Sequence, residues 1–447
     1  MNEVKELMGL AEHNVKVLEI SEEIINKEKV RVITIIGKTV RVKCPICLKY
    51  TSSVHDKLKP MQIKYLKMAE QKTIIKLIKR RFICHNCKKK ITEELNINKY
   101  KSNISNQLEI KVRKDLLNYN LSITYIAQEN NISDVEVRNI LLDAMANYPD
   151  NVKILPEVIS IDEFAAHTSY GKYALIINDP IKKRTIDILP NRRKNYLISY
   201  FTKVENRSNV KYVIGDMYET YLIVTKVMFK NAKYVVDRFH YIRYIMDALD
   251  DIRIRIQKKY GYNTIEYRIL KNKKNISLLR NRATDINWYV YVKRYEKGRT
   301  IYKMPKMILK EMLEISDELD RGYDLKELFL DIVNNSTYEN VQTDILVWID
   351  LCKNSNIPEM IEASKTIENW LEYIVNSFID KRYNNGYTEG LNNKIKVIKR
   401  NAFGYKNFDF FRLRLLYILD GKLSGKSNKN RKKQKSKKEK NKKLWDL

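Results

Sequence analysis

The chain has 447 residues and a formal net charge of +31 at pH 7, from 85 Lys and Arg against 54 Asp and Glu. Its hydrophobic content of 44% excludes a mostly disordered protein, and a chain of this length predicts roughly two to four domains. No apolar run approaches the ~18 residues of a membrane helix, and the N-terminus lacks a signal-peptide pattern. We therefore expect a cytoplasmic protein without a membrane partner.

The positive charge is spread along the chain. Residues 421–447 carry 12 Lys and Arg against two acidic residues, so +10 lies in this segment and +21 in the rest. The segment is predicted to be a disordered basic tail. Because the remainder is also basic, the composition favours a polyanion such as double-stranded DNA as the partner over a merely solvated surface.

Two C-x-x-C pairs lie among short predicted strands in residues 1–98, at Cys44 and Cys47 and at Cys84 and Cys87. In a cytosolic protein this spacing indicates metal ligands, not disulfides. Four thiolates suit one tetrahedral zinc ion, so this segment is predicted to be a DNA-binding zinc ribbon held together by one structural Zn²⁺. A redox dithiol is the alternative, but adjacent lysines and the lack of a βαβ context disfavour it.

Residues 99–150 are predicted to be helical. A short apolar helix, an asparagine turn and a second helix capped by Ser133 match a helix-turn-helix. Its second helix would present Glu136, Arg138 and Asn139 to a major groove of DNA. An ordinary helical connector fits this pattern nearly as well, because only one arginine lies on the face that would contact DNA.

Residues 151–258 have an α/β pattern. The predicted strands are Val158–Asp162, Tyr173–Asn178, Arg184–Leu189, Tyr212–Ile214 and Tyr234–Val236. Three strands in succession, followed by alternating helices and strands, is the order of a ribonuclease H-like fold. The first and fourth strands are neighbours in that fold, so Asp162 and Asp216 would meet at the sheet centre and could share metal ions. Neighbouring strand residues point to opposite faces, so only one of Asp162 and Glu163 can do so.

Residues 259–382 carry apolar stripes at helical spacing, which are typical of a packed core. We predict that this block is a helical insertion within the α/β domain. Cys352 follows an apolar helical run and is predicted to be a small core residue. The pattern resumes in residues 383–420, which are predicted to form the final helices of the α/β core.

The helix predicted from Thr388 is amphipathic. Its apolar face consists of Leu391, Ile395 and Ile398. Its polar face consists of Glu389, Asn393, Lys396 and Arg400. A carboxylate in line with an amide and two cations suits a site that contacts DNA, although an ordinary amphipathic helix with a chance glutamate fits the same spacing.

Together these motifs resemble the ISL-three family of bacterial insertion-sequence transposases. The resemblance rests on the CPIC and CHNC knuckles, the IDEF strand and the block Val236–His240. It is closest in the run EGLNNKIK from Glu389 and continues through Ala402–Tyr405 to Arg412. It therefore covers most of the chain.

The resemblance implies a catalytic triad of Asp162, Asp216 and Glu389 that holds two Mg²⁺ or Mn²⁺ ions, with Asp237 and His240 in supporting roles. The implied fold is a multidomain α/β chain with a zinc ribbon, a helix-turn-helix and an interrupted ribonuclease H-like catalytic domain. The implied activity is DNA cleavage and strand transfer at transposon ends, within a synaptic complex of several subunits. A water molecule and then a 3′-hydroxyl would attack a phosphodiester.

Two other functions fit the same residues. The chain could be a sequence-specific DNA-binding protein without catalysis, descended from a transposase, whose carboxylates are structural. It could also be a nuclease of the same fold that recognises DNA junctions or hybrids. Inverted repeats flanking the reading frame would favour the transposase.

Overall fold

The structure is a computed structural model that describes residues 2–99, 102–148, 152–286, 292–296, 299–401 and 407–419. The chain divides into two compact units. The first combines Met1–Tyr148 with Asn393–Leu447, and the second is Pro149–Asn392. The predicted basic tail and the motif Ala402–Tyr405 lie outside the described residues.

The first unit begins with one short helix and nine strands. They are α1 (Asn2–Leu7), β1 (Val15–Ile25), β2 (Glu28–Gly37), β3 (Val42–Lys43), β4 (Tyr50–Thr51), β5 (Val54–Lys57), β6 (Met61–Lys64), β7 (Thr73–Ile78), β8 (Arg80–Ile83) and β9 (Lys90–Thr92). One sheet has the order β1-β2-β7-β6, and the small sheets β3-β4 and β5-β8-β9 carry the cysteine pairs. Ile33, Ile35 and Ile75 are fully buried in the core of the larger sheet.

Three helices follow: α2 (Asn106–Leu117), α3 (Ile123–Glu129) and α4 (Asp134–Ala144). Ser133 caps α4, and the Glu136 carboxylate bonds back to the Ser133 amide to complete a capping box. Lys64 Nζ also lies 2.7 Å from Glu136. The Glu136 carboxylate is thus engaged by Ser133 and Lys64, whereas Arg138 and Asn139 are exposed.

A five-stranded sheet organises the second unit. Its strands are β10 (Val158–Thr168), β11 (Gly171–Asp179), β12 (Arg184–Leu189), β13 (Tyr212–Gly215) and β14 (Lys233–Val236). The sheet order is β12-β11-β10-β13-β14. β10, β11 and β12 pair antiparallel, while β13 pairs parallel with both β10 and β14. The first and fourth strands of the sheet are therefore direct neighbours.

Helices and one hairpin complete the second unit. They are α5 (Lys194–Thr202), α6 (Glu219–Met228), α7 (Arg238–Gln257), α8 (Ile265–Lys271), α9 (Lys273–Arg280), β15 (Val292–Glu296), β16 (Arg299–Lys303), α10 (Pro305–Leu313), α11 (Asp317–Asn335), α12 (Val341–Lys353), α13 (Pro358–Asn369) and α14 (Leu371–Val375). The β15–β16 hairpin corrects the expectation of a wholly helical block. Its two strands are rich in β-branched and aromatic residues, a composition that favours strands over a helix.

One continuous apolar core joins the sheet and the helical block of the second unit. It contains Ile159 and Val213 from the sheet together with Trp348 and Phe378 from the block. Cys352 is fully buried in this core, as predicted, and burial raises the pKa of its thiol to about 12. None of the helices in the described part of the chain is long and apolar enough to cross a membrane.

Two helices end the described chain: α15 (Gly386–Asn401) and α16 (Phe408–Leu419). The amphipathic pattern of α15 is confirmed, since its predicted apolar face is buried and its predicted polar face is exposed. In the first unit, α16 packs against α2 and α4, and its buried Arg414 guanidinium donates to the Leu116 carbonyl. This packing differs from the sequence-based division, which grouped residues 383–420 with the α/β core.

Candidate active site and zinc centre

The four predicted zinc ligands converge. Their sulfur atoms all lie within 4.8 Å of one another, with Sγ separations of 3.4 Å for Cys44–Cys87, 3.5 Å for Cys47–Cys84 and 3.9 Å for Cys47–Cys87. A disulfide would need about 2.05 Å, whereas a zinc tetrahedron with bonds of ~2.3 Å has sulfur edges of ~3.8 Å. The site therefore fits one zinc ion.

The two knuckles repeat one local structure. The Leu48 amide donates to the Cys44 carbonyl at 3.0 Å, and the Lys88 amide donates to the Cys84 carbonyl at 2.8 Å. Leu48 and Lys88 both adopt a positive φ, of 59° and 57°. The tight turns aim backbone N–H groups at the first sulfur of each pair. Those hydrogen bonds, led by the Cys47 amide, lower the pKa of Cys44 to about 6, which favours the thiolate that zinc requires.

Three aspartates form a row across the parallel strands of the second unit. The paired positions Ser160, Ile214 and Val235 cross β10, β13 and β14. Asp162, Asp216 and Asp237 each lie two residues after one of these positions, in the same strand direction. Since parallel strands end at the same edge of a sheet, these carboxylates gather at one edge. Asp162 and Asp216 are half-buried, whereas Asp237 is only 4% exposed.

Asp216 is held by its neighbours on β14 and α7. Its Oδ1 lies 2.8 Å from His240 Nε2, and its carbonyl accepts a 2.6 Å hydrogen bond from the Tyr234 hydroxyl. A Cβ at Gly215 would lie 2.5 Å from that hydroxyl, so this approach requires glycine. Burial lowers the pKa of His240, but the hydrogen bond and the charge of Asp216 outweigh it and leave the pKa raised.

Asp162 accepts two hydrogen bonds, from Asn392 Nδ2 to its Oδ2 at 2.9 Å and from the Glu163 amide to its Oδ1 at 2.7 Å. Burial, and then the negative charge of Asp216, raise the pKa of Asp162 to about 7. Burial is also the main cause of the raised pKa of Asp237, whose Oδ1 accepts from the Asn385 amide at 2.8 Å.

Glu163 has separate partners. Its carboxylate is paired with the Arg192 guanidinium and accepts a 2.7 Å hydrogen bond from the Tyr221 hydroxyl. Arg192 lies 4.6 Å from the ring centroid of Tyr173 and 4.8 Å from that of Tyr218. The ion pair and the cation–π contacts of Arg192 together hold the Glu163 carboxylate against the arginine side chain.

Glu389 is exposed on the first turn of α15, three residues before Asn392. Residues three apart on a helix have Cβ atoms about 5–6 Å apart, so Glu389 lies one turn from Asn392, the residue that bonds to Asp162. The three predicted catalytic carboxylates are less tightly gathered than the cysteines. Within the described ranges, the cysteines form the one group of three or more metal-binding side chains whose ligand atoms lie within 4.8 Å.

Sequence reasoning missed three residues that link α15 to the sheet of the second unit. They are Asn385, Thr388 and Asn392. The available signal was the spacing of Thr388 and Asn392, since i and i+4 positions share a helix face, and these two residues lie beside and within the EGLNNKIK run. Arg192 and Tyr221 carried no recognisable signal before the fold was known.

The predicted DNA-contacting residues belong to the first unit. Arg138 and Asn139 are exposed on α4, and the Arg138 guanidinium lies 4.5 Å from the Phe410 ring centroid. Asn393, Lys396 and Arg400 are exposed on α15.

Comparisons with known proteins find family matches for the region that holds the aspartate row and for the region that holds the four cysteines. A family model for ISL3 transposase domains, described as "Transposase", matches residues 159–415. A second, described as the zinc-finger of transposase IS204/IS1001/IS1096/IS1165, matches residues 41–87 and thus includes all four cysteines.

Two curated relatives match shorter stretches. The transposase for insertion sequence element IS1001 of Bordetella parapertussis is 25% identical over 277 residues, which cover 61% of this chain and 63% of that transposase. A protein named ATP-dependent protease from Lactococcus lactis subsp. lactis is 34% identical over 110 residues, 24% of this chain and 33% of that protein. Since the transposase-domain match spans more than half of the sequence, the chain belongs to the ISL3 family of transposases.

Proposed function

We propose that this chain cleaves DNA at the ends of an insertion sequence and transfers the strands to a target, as a DDE transposase with a ribonuclease H-like catalytic core. The observation that carries the proposal is the row of Asp162, Asp216 and Asp237 across three parallel strands, to which Asn392 ties the helix bearing Glu389. The strand order, with the first strand beside the fourth, supports the fold assignment. The helical block between α7 and α15 is then an insertion in that core.

The chemistry of the aspartate row suits divalent cations. Carboxylate oxygens are the ligands that Mg²⁺ prefers, and burial, followed by the nearby charge of Asp216, raises the pKa of Asp162, a penalty on its ionised form that a bound cation would offset. We assign Asp162, Asp216 and Glu389 as the residues that would hold two Mg²⁺ or Mn²⁺ ions. When bound, such ions stabilise negative charge on the attacking and leaving oxygens of a phosphodiester.

Neighbouring side chains would position these carboxylates. Asn392 orients Asp162 through its amide, and His240 restrains Asp216 at 2.8 Å. Asp237 is buried and already bonded to the Asn385 amide, so we assign it a supporting role. Glu163 is excluded as a ligand in this proposal because Arg192 and Tyr221 occupy its carboxylate.

The proposed reaction has two substitutions at phosphorus. In the first, a water oxygen bonds to phosphorus as the bond to the leaving 3′-oxygen breaks, which frees a 3′-hydroxyl. In the second, that 3′-hydroxyl bonds to a target phosphorus as a target P–O bond breaks. The carboxylates of Asp162 and Asp216 lie half-buried at one edge of the sheet, where fixed charges act more strongly than in bulk water.

Double-stranded DNA is the proposed partner. The net charge of +31 supports phosphate binding by the whole chain. We assign recognition of the transposon ends to the zinc ribbon and to Arg138 and Asn139 of α4, which would form the second helix of a helix-turn-helix. Asn393, Lys396 and Arg400 of α15 would hold DNA phosphates. Because transposition joins two ends, we further propose that several copies of the chain act together.

The decisive experiment measures strand cleavage on labelled duplex DNA that carries the gene's own flanking ends, with Mg²⁺ or Mn²⁺. Glu389→Gln keeps the size of the side chain and removes its charge, while Glu362→Gln makes the same change at an exposed glutamate of α13. We expect metal-dependent 3′-hydroxyl ends from the wild type and Glu362→Gln, and none from Glu389→Gln.

Other outcomes would point elsewhere. Tight binding of the ends without cleavage by any protein would support the DNA-binding protein without catalysis. Cleavage that ignores the end sequence would support the nuclease. Wild-type cleavage by Glu389→Gln would remove that residue from the proposed triad.

A further inference from the structure

The start of α15 and the residue before it contact the sheet of the second unit through three polar residues. Asn385 directly precedes the helix, and Thr388 and Asn392, four residues apart, share one face of it. Asn385 and Asn392 contact the aspartate row: the Asn385 backbone N–H donates to Asp237, and the Asn392 side chain donates to Asp162. Thr388 lies between them and contacts neither aspartate in the described structure.

Thr388 instead joins two strands at a paired position. Its Oγ1 accepts a 2.8 Å hydrogen bond from Asn178 Nδ2 and lies 3.3 Å from Ser160 Oγ. Ser160 on β10 and Asn178 on β11 are direct partners in the antiparallel register. All three side chains are completely buried. Each hydroxyl or amide of this trio therefore depends on the others for its hydrogen bonds, because water cannot reach them.

These hydrogen bonds can form at only one rotation of α15 about its own axis. Each residue of an α-helix advances by about 100°, so a slip of one position would exchange Thr388 for Tyr387 or Glu389. A glutamate there would bury an unpaired charge, and a tyrosine is far larger than the space that a threonine fills. The buried trio thus favours the single register in which Glu389 remains exposed beside Asn392.

We infer that Thr388 is a positioning residue whose hydrogen bonds with Asn178 and Ser160 fix the register of α15 and so hold Glu389 one turn from Asn392, the residue that bonds to Asp162. The inference rests on the proposed function, because the role of Glu389 belongs to it. Thr388 itself touches neither DNA nor a cation in this scheme; it acts through the helix that carries Glu389.

The test measures Mn²⁺ binding to the full-length, zinc-loaded protein by the electron paramagnetic resonance signal of free Mn²⁺, with DNA cleavage assayed in parallel. Thr388→Val keeps the shape of the side chain and removes the hydroxyl, whereas Thr388→Ser restores it. Thr225→Val is the matched control, since Thr225 is also buried and its hydroxyl donates to the Tyr221 carbonyl at 2.8 Å within α6.

We expect Thr388→Val to weaken Mn²⁺ binding and cleavage by about 10-fold, the lower end of the effect of losing a direct partner of a metal ligand, because Thr388 acts one step further from the ligands. Thr388→Ser and Thr225→Val should bind Mn²⁺ like the wild type. Ser160→Ala removes only the longer contact and should show a smaller loss in the same direction. It provides a second measurement if Thr388→Val does not fold.

Two results would overturn the inference, and they are distinguishable. If Glu389→Gln loses Mn²⁺ binding and cleavage while Thr388→Val and Ser160→Ala lose neither, the positioning role alone is wrong. If Glu389→Gln itself retains wild-type binding and cleavage, the proposed function fails at its third carboxylate, and the role of Thr388 fails with it.

Discussion

Asn392 Nδ2 donates a 2.9 Å hydrogen bond to Asp162 Oδ2, although the two residues are 230 positions apart. This bond ties the helix that carries Glu389 to the strand that carries Asp162. The other amide atom, Asn392 Oδ1, is buried and accepts no hydrogen bond from the described residues. Among the described residues, the Asn392 side chain thus makes one hydrogen bond, and its acceptor is a proposed metal ligand.

The first prediction concerns that contact. Asn392→Ala should weaken Mn²⁺ binding by about 10- to 100-fold, because Asp162 loses the amide that orients it. Asn393→Ala is the control, since Asn393 is the next residue and is exposed. Titration of each variant with Mn²⁺ would check this, and equal affinities for the two variants would contradict it.

The second prediction concerns pH. When folding raises the pKa of a carboxyl group, ionisation of that group costs more free energy in the folded state than in the unfolded state. Its contribution to stability is therefore fully present below the unfolded pKa and is lost as pH rises through the folded pKa. For Asp162 the window runs from 3.8 to about 7. Without Mg²⁺ or Mn²⁺, Asp162→Asn should therefore gain unfolding free energy over the wild type, by up to about 3 kcal/mol more at pH 8 than at pH 5.

Chemical denaturation at both pH values would measure this difference. Asp285→Asn, at an exposed aspartate, is the control and should differ from the wild type equally at pH 5 and pH 8. A pH-independent difference for Asp162→Asn would show that the folded environment does not disfavour its charge.

The third prediction separates Glu163 from Asp162. Arg192→Ala should lower the unfolding free energy by about 1–3 kcal/mol, because the half-buried Glu163 carboxylate loses its cation. Mn²⁺ binding should be unchanged, since Glu163 is not a proposed ligand. Arg193→Ala, at the adjacent exposed arginine, should alter neither quantity. A large loss of Mn²⁺ affinity in Arg192→Ala would bring Glu163 into the metal site.

The fourth prediction concerns the zinc centre. Cys84→Ser should reduce bound zinc from one ion per chain to a small fraction and make the first unit sensitive to protease, because a structural zinc contributes roughly 10–16 kcal/mol to folding. The second unit has its own core and should stay resistant. Zinc analysis and limited proteolysis would show both effects, with Cys352→Ser as the control that keeps its zinc. Full zinc content in Cys84→Ser would contradict the four-cysteine site.

The fifth prediction concerns DNA. The logarithm of the binding constant should fall linearly with the logarithm of salt concentration, by about 0.9 for each phosphate neutralised. Lys396→Ala should reduce the magnitude of that slope by about 0.9, the contribution of one phosphate contact, and should weaken binding to all DNA sequences alike. Fluorescence anisotropy over a salt series would measure the slopes. An unchanged slope in Lys396→Ala would show that this lysine does not contact a DNA phosphate. A wild-type binding constant that does not change with salt would show that the chain makes no phosphate contacts.

Several features of this protein follow from its sequence alone. The cysteine spacing identified the zinc ligands, and period-two and period-3.6 patterns located the strands of the second sheet and the two faces of α15. The motifs also identified the family, which the domain match confirms. These features are local because they depend on the repeat of a strand, the repeat of a helix or the reach of a tight turn.

Other features were decided only by tertiary structure. Pairing register aligned Asp237 with Asp162 and Asp216, and folding brought Asn392 to Asp162 and Arg192 to Glu163. The packing of α16 against α2 likewise joins segments far apart in sequence. A periodic pattern shows which face of an element is apolar, but not which distant element will cover it. That choice depends on the combined packing and hydrogen bonding of the folded chain, so the partners of the candidate site became identifiable only in the structure.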